Sequence, residues 1–242
     1  MNLNIDWGNT RVKVGIFEKE ELIQHFIYNK VDAFTEINEL LKNREFEAAM
    51  VCTVSEIPDE LIQILKNSTR LFILDDHTPL PLMNAYSSSH LLGMDRIALA
   101  VAAYQLYPNQ NNLVICAGTA ITYNFCHKAN IFRGGNISPG INMRLQALHE
   151  YTSMLPLVTQ KGEIILLGYD TDTGIRSGVI IGTAAEIEGM VERYQADYPD
   201  INIILTGGDA TLLGDQMKNK IFADPYFLLK GLNTILNYNI SK

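Results

Sequence analysis

Cysteine is scarce in this chain of 242 residues, which contains only Cys52, Cys116 and Cys126. The number is odd, and no two of the three have the C-x-x-C spacing of a redox or zinc motif. This pattern argues against a disulfide framework and against a thiolate zinc site. We therefore expect a protein of a reducing compartment, with a cytoplasmic location.

Positive charge and long apolar runs are also in short supply. The formal net charge is -8, from 19 Lys and Arg against 27 Asp and Glu. An acidic surface repels phosphate backbones, so we expect no nucleic-acid partner. The longest apolar run, residues 97–104, is far shorter than the roughly 20 residues of a membrane span, and no basic leader precedes an apolar core. We expect no membrane partner either.

Apolar residues make up 47% of the sequence, which is enough for a packed core. Short β-branched runs alternate with segments of helical period, a pattern typical of an α/β protein. The predicted strands are residues 3–7, 12–17, 22–28, 48–54, 71–74, 113–117, 121–125 and 201–205. The predicted helices are residues 31–43, 58–67, 93–107, 174–198 and 227–238, with a further helix ending at residue 147.

Two segments of the chain share one layout. "NIDWGNTRVKV" at residues 4–14 and "VICAGTAITYNF" at residues 114–125 each have an apolar strand, a glycine turn with a threonine, and a second strand. Such a repeat predicts two similar domains with a cleft between them. We place these domains at residues 1–110 and 111–242.

The first of these turns has the chemistry of a phosphate site. Gly8 and Thr10 can direct backbone N–H groups and a hydroxyl at one anion, while Lys13 can meet a phosphate as a point charge. Asp6 could hold Mg²⁺ through water. An ordinary hairpin is the alternative for a single turn of this kind, but the repeat favours a functional site.

The segment "GMDR" opens a predicted helix. Asp95 at a helix start gains from the positive end of the helix dipole and could accept a proton as a general base, although helix capping is the competing interpretation. Arg96 could bind the carboxylate of an acidic substrate in a bidentate way, or form a surface salt bridge.

The motifs "DWGNTRVK", "GMDR", "GTAIT", "GGNISPG", "TGGDA" and "LLKGL" together resemble, in order, the type III pantothenate kinase family. This family belongs to the superfamily of acetate and sugar kinases, actin and heat-shock ATPases. The resemblance implies two ribonuclease H-like domains with a nucleotide cleft between them, the actin-like ATPase fold. It also implies transfer of the ATP γ-phosphoryl group to pantothenate, the first step of coenzyme A biosynthesis, by a homodimer that uses Mg²⁺.

The resemblance also implies site residues. Asp95 is the expected catalytic base. The expected ATP-binding residues are Asp6, Trp7, Gly8, Asn9, Thr10, Arg11, Val12, Lys13 and Thr119. The expected substrate-binding residues are Tyr86, Gly93, Met94, Asp95, Arg96 and Thr173. Helix capping is the competing interpretation for Thr173.

The sequence departs from the family at Cys116. The family's second turn reads Asp-x-Gly-Thr-Ala, and its Asp binds a monovalent cation such as K⁺ or NH₄⁺ beside the ATP phosphates. A neutral thiol is a soft ligand that suits a hard cation poorly, so this metal position is in doubt.

Two alternatives to a pantothenate kinase stay open from the sequence. One is a non-catalytic relative that keeps the nucleotide fold as a regulatory module. The other is a kinase of the same superfamily that acts on another small hydroxyl compound.

Overall fold

Strands and helices alternate along the chain in this computed structural model, which describes residues 1–218 and 221–241. The strands are β1 (Asn2–Trp7), β2 (Arg11–Glu18), β3 (Glu21–Asn29), β4 (Ala48–Thr53), β5 (Arg70–Ile73), β6 (Met83–Asn84), β7 (Asn112–Ala117), β8 (Ala120–His127), β9 (Ile131–Gly134), β10 (Ile137–Pro139), β11 (Asn202–Thr206) and β12 (Phe222–Ala223). The helices are α1 (Ala33–Asn43), α2 (Asp59–Ser68), α3 (Met94–Leu106), α4 (Ile141–Glu150), α5 (Thr171–Asp197), α6 (Ala210–Gly214) and α7 (Phe227–Ile240). A short 3-10 helix covers Ser89–Leu91.

The chain divides into two compact units. The first unit contains Met1–Asn109, Cys126–Gly134 and Tyr226–Lys242, and the second contains Gln110–Phe125 and Gly135–Pro225. The C-terminal helix α7 thus belongs to the first unit. These units are defined by spatial contact, and the domain bounds of 1–110 and 111–242 stay a prediction.

The sheet of the first unit has the strand order β3-β2-β1-β4-β5. Strand β1 pairs antiparallel with β2 and parallel with β4, so it lies at the centre. Leu3, Ile5 and Trp7 belong to an apolar core that also includes residues of α1 and α2. Because side chains alternate along a strand, the intervening residues, among them Asp6, face the other side of the sheet.

Asparagines hold α7 against this second side of β1. The Asn2 amide donates to the Oδ1 atoms of Asn233 and Asn237 at 3.1 and 2.7 Å, and the Asn4 amide donates to Asn233 Oδ1 at 3.3 Å. A Cβ atom at Gly231 would lie 1.9 Å from the Ala98 carbonyl oxygen, so this glycine lets α7 approach α3 closely. The "LLKGL" motif is therefore explained by helix packing.

The sheet of the second unit repeats the central order of the first. Its strands run β12-β11-β7-β8, and β10 pairs antiparallel with β8. Strand β11 pairs parallel with both β7 and β12. Apolar residues of β7 and β8 share a core with one face of α4 and of α5. The predicted α/β class with two similar sheets is confirmed.

Among the residues that the structure describes, no helix combines the length and apolar character needed to cross a bilayer.

Candidate active site

The first turn is a tight connection between β1 and β2. The Gly8 amide donates to the Arg11 carbonyl oxygen at 3.2 Å, and a Cβ atom at Gly8 would lie 2.8 Å from that oxygen. Asn9, Thr10 and Arg11 are exposed at this turn, as a ligand-binding loop requires.

Trp7 and Val12, two of the predicted ATP-binding residues, differ from the rest of this segment. Both side chains are buried in the apolar core, and the Trp7 indole N–H donates to the Glu56 carbonyl oxygen at 3.0 Å. Their side chains are therefore used for packing, so only their backbone is available to a nucleotide.

Two carboxylates and one lysine come together beside this turn. Asp6 and Lys13 are direct partners across β1 and β2, with Lys13 Nζ 3.6 Å from Asp6 Oδ2. Asp95, at the start of α3, is close enough for its charge to act on Asp6. The structure thus brings the predicted base and the predicted phosphate residues together in the first unit.

Burial dominates the acidity of both carboxylates. It raises the pKa of Asp6 to about 6, with Lys13 lowering that pKa and the charge of Asp95 raising it. Burial also raises the pKa of Asp95, while the Arg96 backbone N–H and guanidinium lower it. A nearby cation would therefore stabilise the ionised form of each carboxylate.

The start of α3 fixes the side chain of Asp95. Gly93 is the residue before the helix, and a Cβ atom there would lie 2.5 Å from Asp95 Oδ1. The Arg96 backbone N–H donates to that same oxygen at 2.9 Å. Gly93 is therefore needed for the Asp95 conformation, and Met94 is the half-buried first residue of the helix.

Arg96 is nearly buried, with 4% of its surface exposed. Its guanidinium carbon lies 5.6 Å from the ring centroid of Tyr86, another predicted substrate residue. The sequence allowed a surface salt bridge for Arg96, but the structure places this side chain inside the first unit.

The second turn lies in the second unit and carries Thr119 and Cys116. The Gly118 amide donates to the Ala120 carbonyl oxygen at 3.2 Å, and Cys116 is a half-buried residue near the end of β7. Its backbone pairs with Thr206 of β11. The two turns are thus built alike, each from a glycine between neighbouring strands.

Two glycines outside this turn pack directly on it. A Cβ atom at Gly140 would lie 2.3 Å from the Gly118 carbonyl oxygen, and one at Gly207, whose φ is +102°, would lie 2.3 Å from the Ala117 carbonyl oxygen. Gly140 ends the "GGNISPG" segment, which the sequence indicates as closely packed backbone without a catalytic role. Nothing in the sequence besides the glycine itself indicates its contact with Gly118, because the two residues lie about 20 positions apart in the chain.

Thr173 belongs to the start of α5 in the second unit. Its backbone N–H donates to Asp170 Oδ1 at 2.8 Å, and its hydroxyl oxygen accepts from the Asp170 backbone N–H at 3.2 Å. This arrangement is a capping box, so the Thr173 hydroxyl already has a structural partner. Its role as a substrate ligand stays a prediction.

The donor sets of the two turns differ in the cations they suit. Asp6 offers hard carboxylate oxygens, which fit Mg²⁺ bound through water and nucleotide phosphates. Cys116 offers a thiol, which does not fit K⁺ or NH₄⁺. Within residues 1–218 and 221–241, no group of three or more His, Cys, Asp and Glu side chains could hold a metal by itself.

Comparison with known proteins identifies relatives over the whole chain. The family model for type III pantothenate kinase matches residues 2–193. A type III pantothenate kinase of Christiangramia forsetii is 42% identical over 99% of this chain and 99% of its own length. One of Bacteroides fragilis is 42% identical over 99% of this chain and 98% of its own.

Solved structures support the fold. A Campylobacter jejuni chain that carries the name Baf family transcriptional activator aligns with a TM-score of 0.63 and 22% identity, over 99% of this chain and 100% of its own. Component A of (R)-2-hydroxyglutaryl-CoA dehydratase from Acidaminococcus fermentans aligns with a TM-score of 0.55 and 15% identity, over 100% of this chain and 99% of its own. The predicted actin-like ATPase fold is confirmed.

Asp6→Asn should stabilise the protein at neutral pH while weakening its function. Because the folded-state pKa of about 6 exceeds the ordinary value of 3.8, the folded protein binds this proton more tightly than the unfolded chain does. Asp6 therefore makes wild-type stability fall as pH rises from about 4 to about 6.

The variant should lack that pH dependence. Its free energy of unfolding should exceed that of wild type by up to about 3 kcal/mol at pH 7.5 and by little near pH 4. Urea titrations across this pH range measure the difference. A variant less stable than wild type at pH 7.5 would contradict the raised pKa of Asp6.

Proposed function

The chain belongs to the type III pantothenate kinase family, and from that premise we propose that it transfers the γ-phosphoryl group of ATP to the 4′ hydroxyl of pantothenate. The product is 4′-phosphopantothenate, the first intermediate of coenzyme A biosynthesis. The observation that carries this proposal is the cluster of Asp6, Lys13 and Asp95 beside the first glycine turn.

Asp95 acts as the general base in this proposal. Its carboxylate accepts the proton of the 4′ hydroxyl as that oxygen forms a bond to the γ-phosphorus, and the bond from phosphorus to the β–γ bridging oxygen breaks to release ADP. Gly93 supports this role, because it leaves the space that the Asp95 carboxyl group occupies. Holding ATP and the acceptor in the reactive geometry supplies much of the remaining rate enhancement.

Asp6 and Lys13 hold the phosphate end of the nucleotide. Lys13 offers a point charge to a phosphate oxygen, and the N–H groups of the turn at Gly8, Asn9 and Thr10 offer hydrogen bonds. Asp6 would hold Mg²⁺ through water. When bound, this ion neutralises charge that develops on the transferred phosphoryl group.

Tyr86, Gly93, Met94 and Arg96 hold the acceptor in this proposal, and Thr173 is a further predicted ligand. Arg96 is the only cation in this set, so it is the residue that recognises the carboxylate of pantothenate. Its burial favours this pairing, because a guanidinium shielded from water attracts an anion more strongly. A cytoplasmic reaction agrees with the supply of ATP and with three cysteines that are outside any disulfide.

A regulatory module without catalysis is the second candidate, and Cys116 is the observation that favours it. Replacement of a family carboxylate by a thiol removes one charge from the second turn. Retention of Asp6, Lys13 and Asp95 in one cluster favours the enzyme.

The active form is a homodimer in this proposal. Large apolar side chains are exposed along the segment between α4 and α5, namely Tyr151, Met154, Leu157, Leu166, Leu167 and Tyr169. A cavity of about 600 Å³ lies nearby and is lined by α4 and α5, including Gly174, Gly178 and Gly182. Exposed apolar surface of this kind typically marks a protein interface, and the occupant we propose is a second copy of the chain.

Asp95→Asn tests the catalytic proposal. The change keeps the shape of the side chain and removes its basicity, so turnover should fall by about 100-fold or more while ATP affinity stays nearly unchanged. Coupled ADP release and a nucleotide-binding titration measure the two quantities. Unchanged turnover would reduce Asp95 to a structural residue of the helix start.

Gly178→Glu tests the dimer. Nothing lies within 4 Å of a Cβ atom at Gly178 or at Gly189, so the protomer should tolerate either change. Light scattering should give twice the chain mass of 27.1 kDa for wild type and for the control Gly189→Glu, and a single chain mass for Gly178→Glu. A monomeric wild type, or a dimeric Gly178→Glu variant, would contradict this interface.

Cys116→Asp tests the cation position. Wild-type activity should need more potassium than that of relatives with Asp here, or be nearly indifferent to it, because a thiol supplies no hard oxygen. The variant should gain apparent potassium affinity if the backbone oxygens around it are suitably placed. Potassium titrations of both forms decide the point. Identical ion dependence would leave Cys116 as a packing residue.

A further inference from the structure

Two aromatic rings lie against the guanidinium of Arg96. Its Cζ atom is 5.6 Å from the ring centroid of Tyr86 and 5.8 Å from that of Phe132, and the two centroids are 6.3 Å apart. Phe132 is fully buried. We call the rings of Tyr86 and Phe132 the aromatic shelf.

Backbone pairing fixes the distance between the two rings. Strands β6 and β9 pair in parallel with Asn84 opposite Phe132, and the Ala85 amide donates to the Phe132 carbonyl oxygen at 3.0 Å. The Tyr86 amide donates to Asn84 Oδ1 at 3.0 Å. Asn84 and Ala85 thus attach this loop to β9, and the Asn84 side chain in turn holds the backbone of Tyr86.

Gly134 provides the space in which the Tyr86 ring lies. This glycine has a φ of +93°, and a Cβ atom there would lie 2.7 and 2.8 Å from two carbons of the ring. Both distances are well inside the van der Waals contact of two carbons. Any side chain at residue 134 would therefore displace the ring, and with it one half of the aromatic shelf.

The aromatic shelf restricts Arg96 in a way that suits recognition of an anion. A ring can cover a face of the guanidinium, whereas the N–H donors point outward in its plane. Cation–π attraction holds the group in place, so little side-chain entropy is lost when a carboxylate binds at the edge. The small exposed fraction of Arg96 agrees with a cation that is held in one orientation.

We propose that Phe132 and Gly134 are positioning residues for the acceptor, because they fix Arg96 through the aromatic shelf and so select an acceptor that carries a carboxylate. This inference rests on the proposed function, in which Arg96 meets the carboxylate of pantothenate. Neither residue touches the acceptor itself. Both lie on β9, away in sequence from the motif that carries Arg96 and Asp95.

The experiment compares two acceptors that differ in one group. Pantothenate carries a carboxylate, and pantothenol carries a hydroxymethyl group in its place. Calorimetry with a non-hydrolysable ATP analogue present gives the affinity of each acceptor, and steady-state kinetics gives KM and kcat for pantothenate. The variants are Phe132→Leu, Phe132→Met, which fills a similar volume without a ring, and Gly134→Ala.

Each variant should weaken pantothenate binding by about tenfold and pantothenol binding by less than about twofold. KM for pantothenate should rise while KM for ATP stays unchanged. Phe72→Leu is the matched control, since Phe72 also lies against an arginine, with Arg70 Cζ 5.1 Å from its ring centroid. Gly189→Ala is the control for the glycine, and both controls should bind as wild type does.

Equal loss of affinity for the two acceptors, in variants whose thermal unfolding stays cooperative, would reduce the shelf to ordinary core packing. A wild type that binds the two acceptors equally would also overturn the inference. Failure of the proposed function looks different. In that case wild type would bind pantothenate more tightly than pantothenol in calorimetry, and the variants would lose this preference. Neither wild type nor the variants would release ADP.

Discussion

The burial of the Asp6 carboxylate is the constraint on which the rest of the site depends. A buried charge is costly unless a partner offsets it, and Asp6 forms an ion pair with Lys13 at 3.6 Å. The nearby Asp95 adds to the cost. In the proposed function, a bound nucleotide with its cation offsets this cost.

The architecture of the first unit explains how the Asp6 carboxylate is kept buried. Strand β1 lies in the middle of its sheet, with apolar residues on one face and the polar series Asn2, Asn4 and Asp6 on the other. Helix α7 covers that polar face through Asn233, and Gly231 brings it close to α3, which carries Asp95. The last helix of the chain therefore supports residues at its beginning.

Local chemistry made much of this predictable from the sequence. The turn at Gly8, the pairing of Asp6 with Lys13 across a hairpin, and the position of Asp95 at a helix start all depend on residues within a few positions of each other. Contacts between distant segments were not predictable. The approach of Gly134 to Tyr86, of Gly140 to the second turn and of α7 to α3 each join residues that are far apart in sequence.

Individual side chains also depart from what their motif implied. Trp7 and Val12 belong to the nucleotide motif, yet both are in the core, because alternation along a strand sends neighbours to opposite faces. The hydroxyl of Thr173 is engaged in a capping box, which is the structural alternative that the sequence offered for this threonine.

The most direct test of the account is product analysis after incubation with ATP, Mg²⁺ and a panel of small alcohols that includes pantothenate. We expect pantothenate to be the preferred acceptor, to gain one phosphoryl group, and ADP to be released in equal amount. Binding of ATP without phosphorylation of pantothenate, or a clear preference for another alcohol, would contradict it.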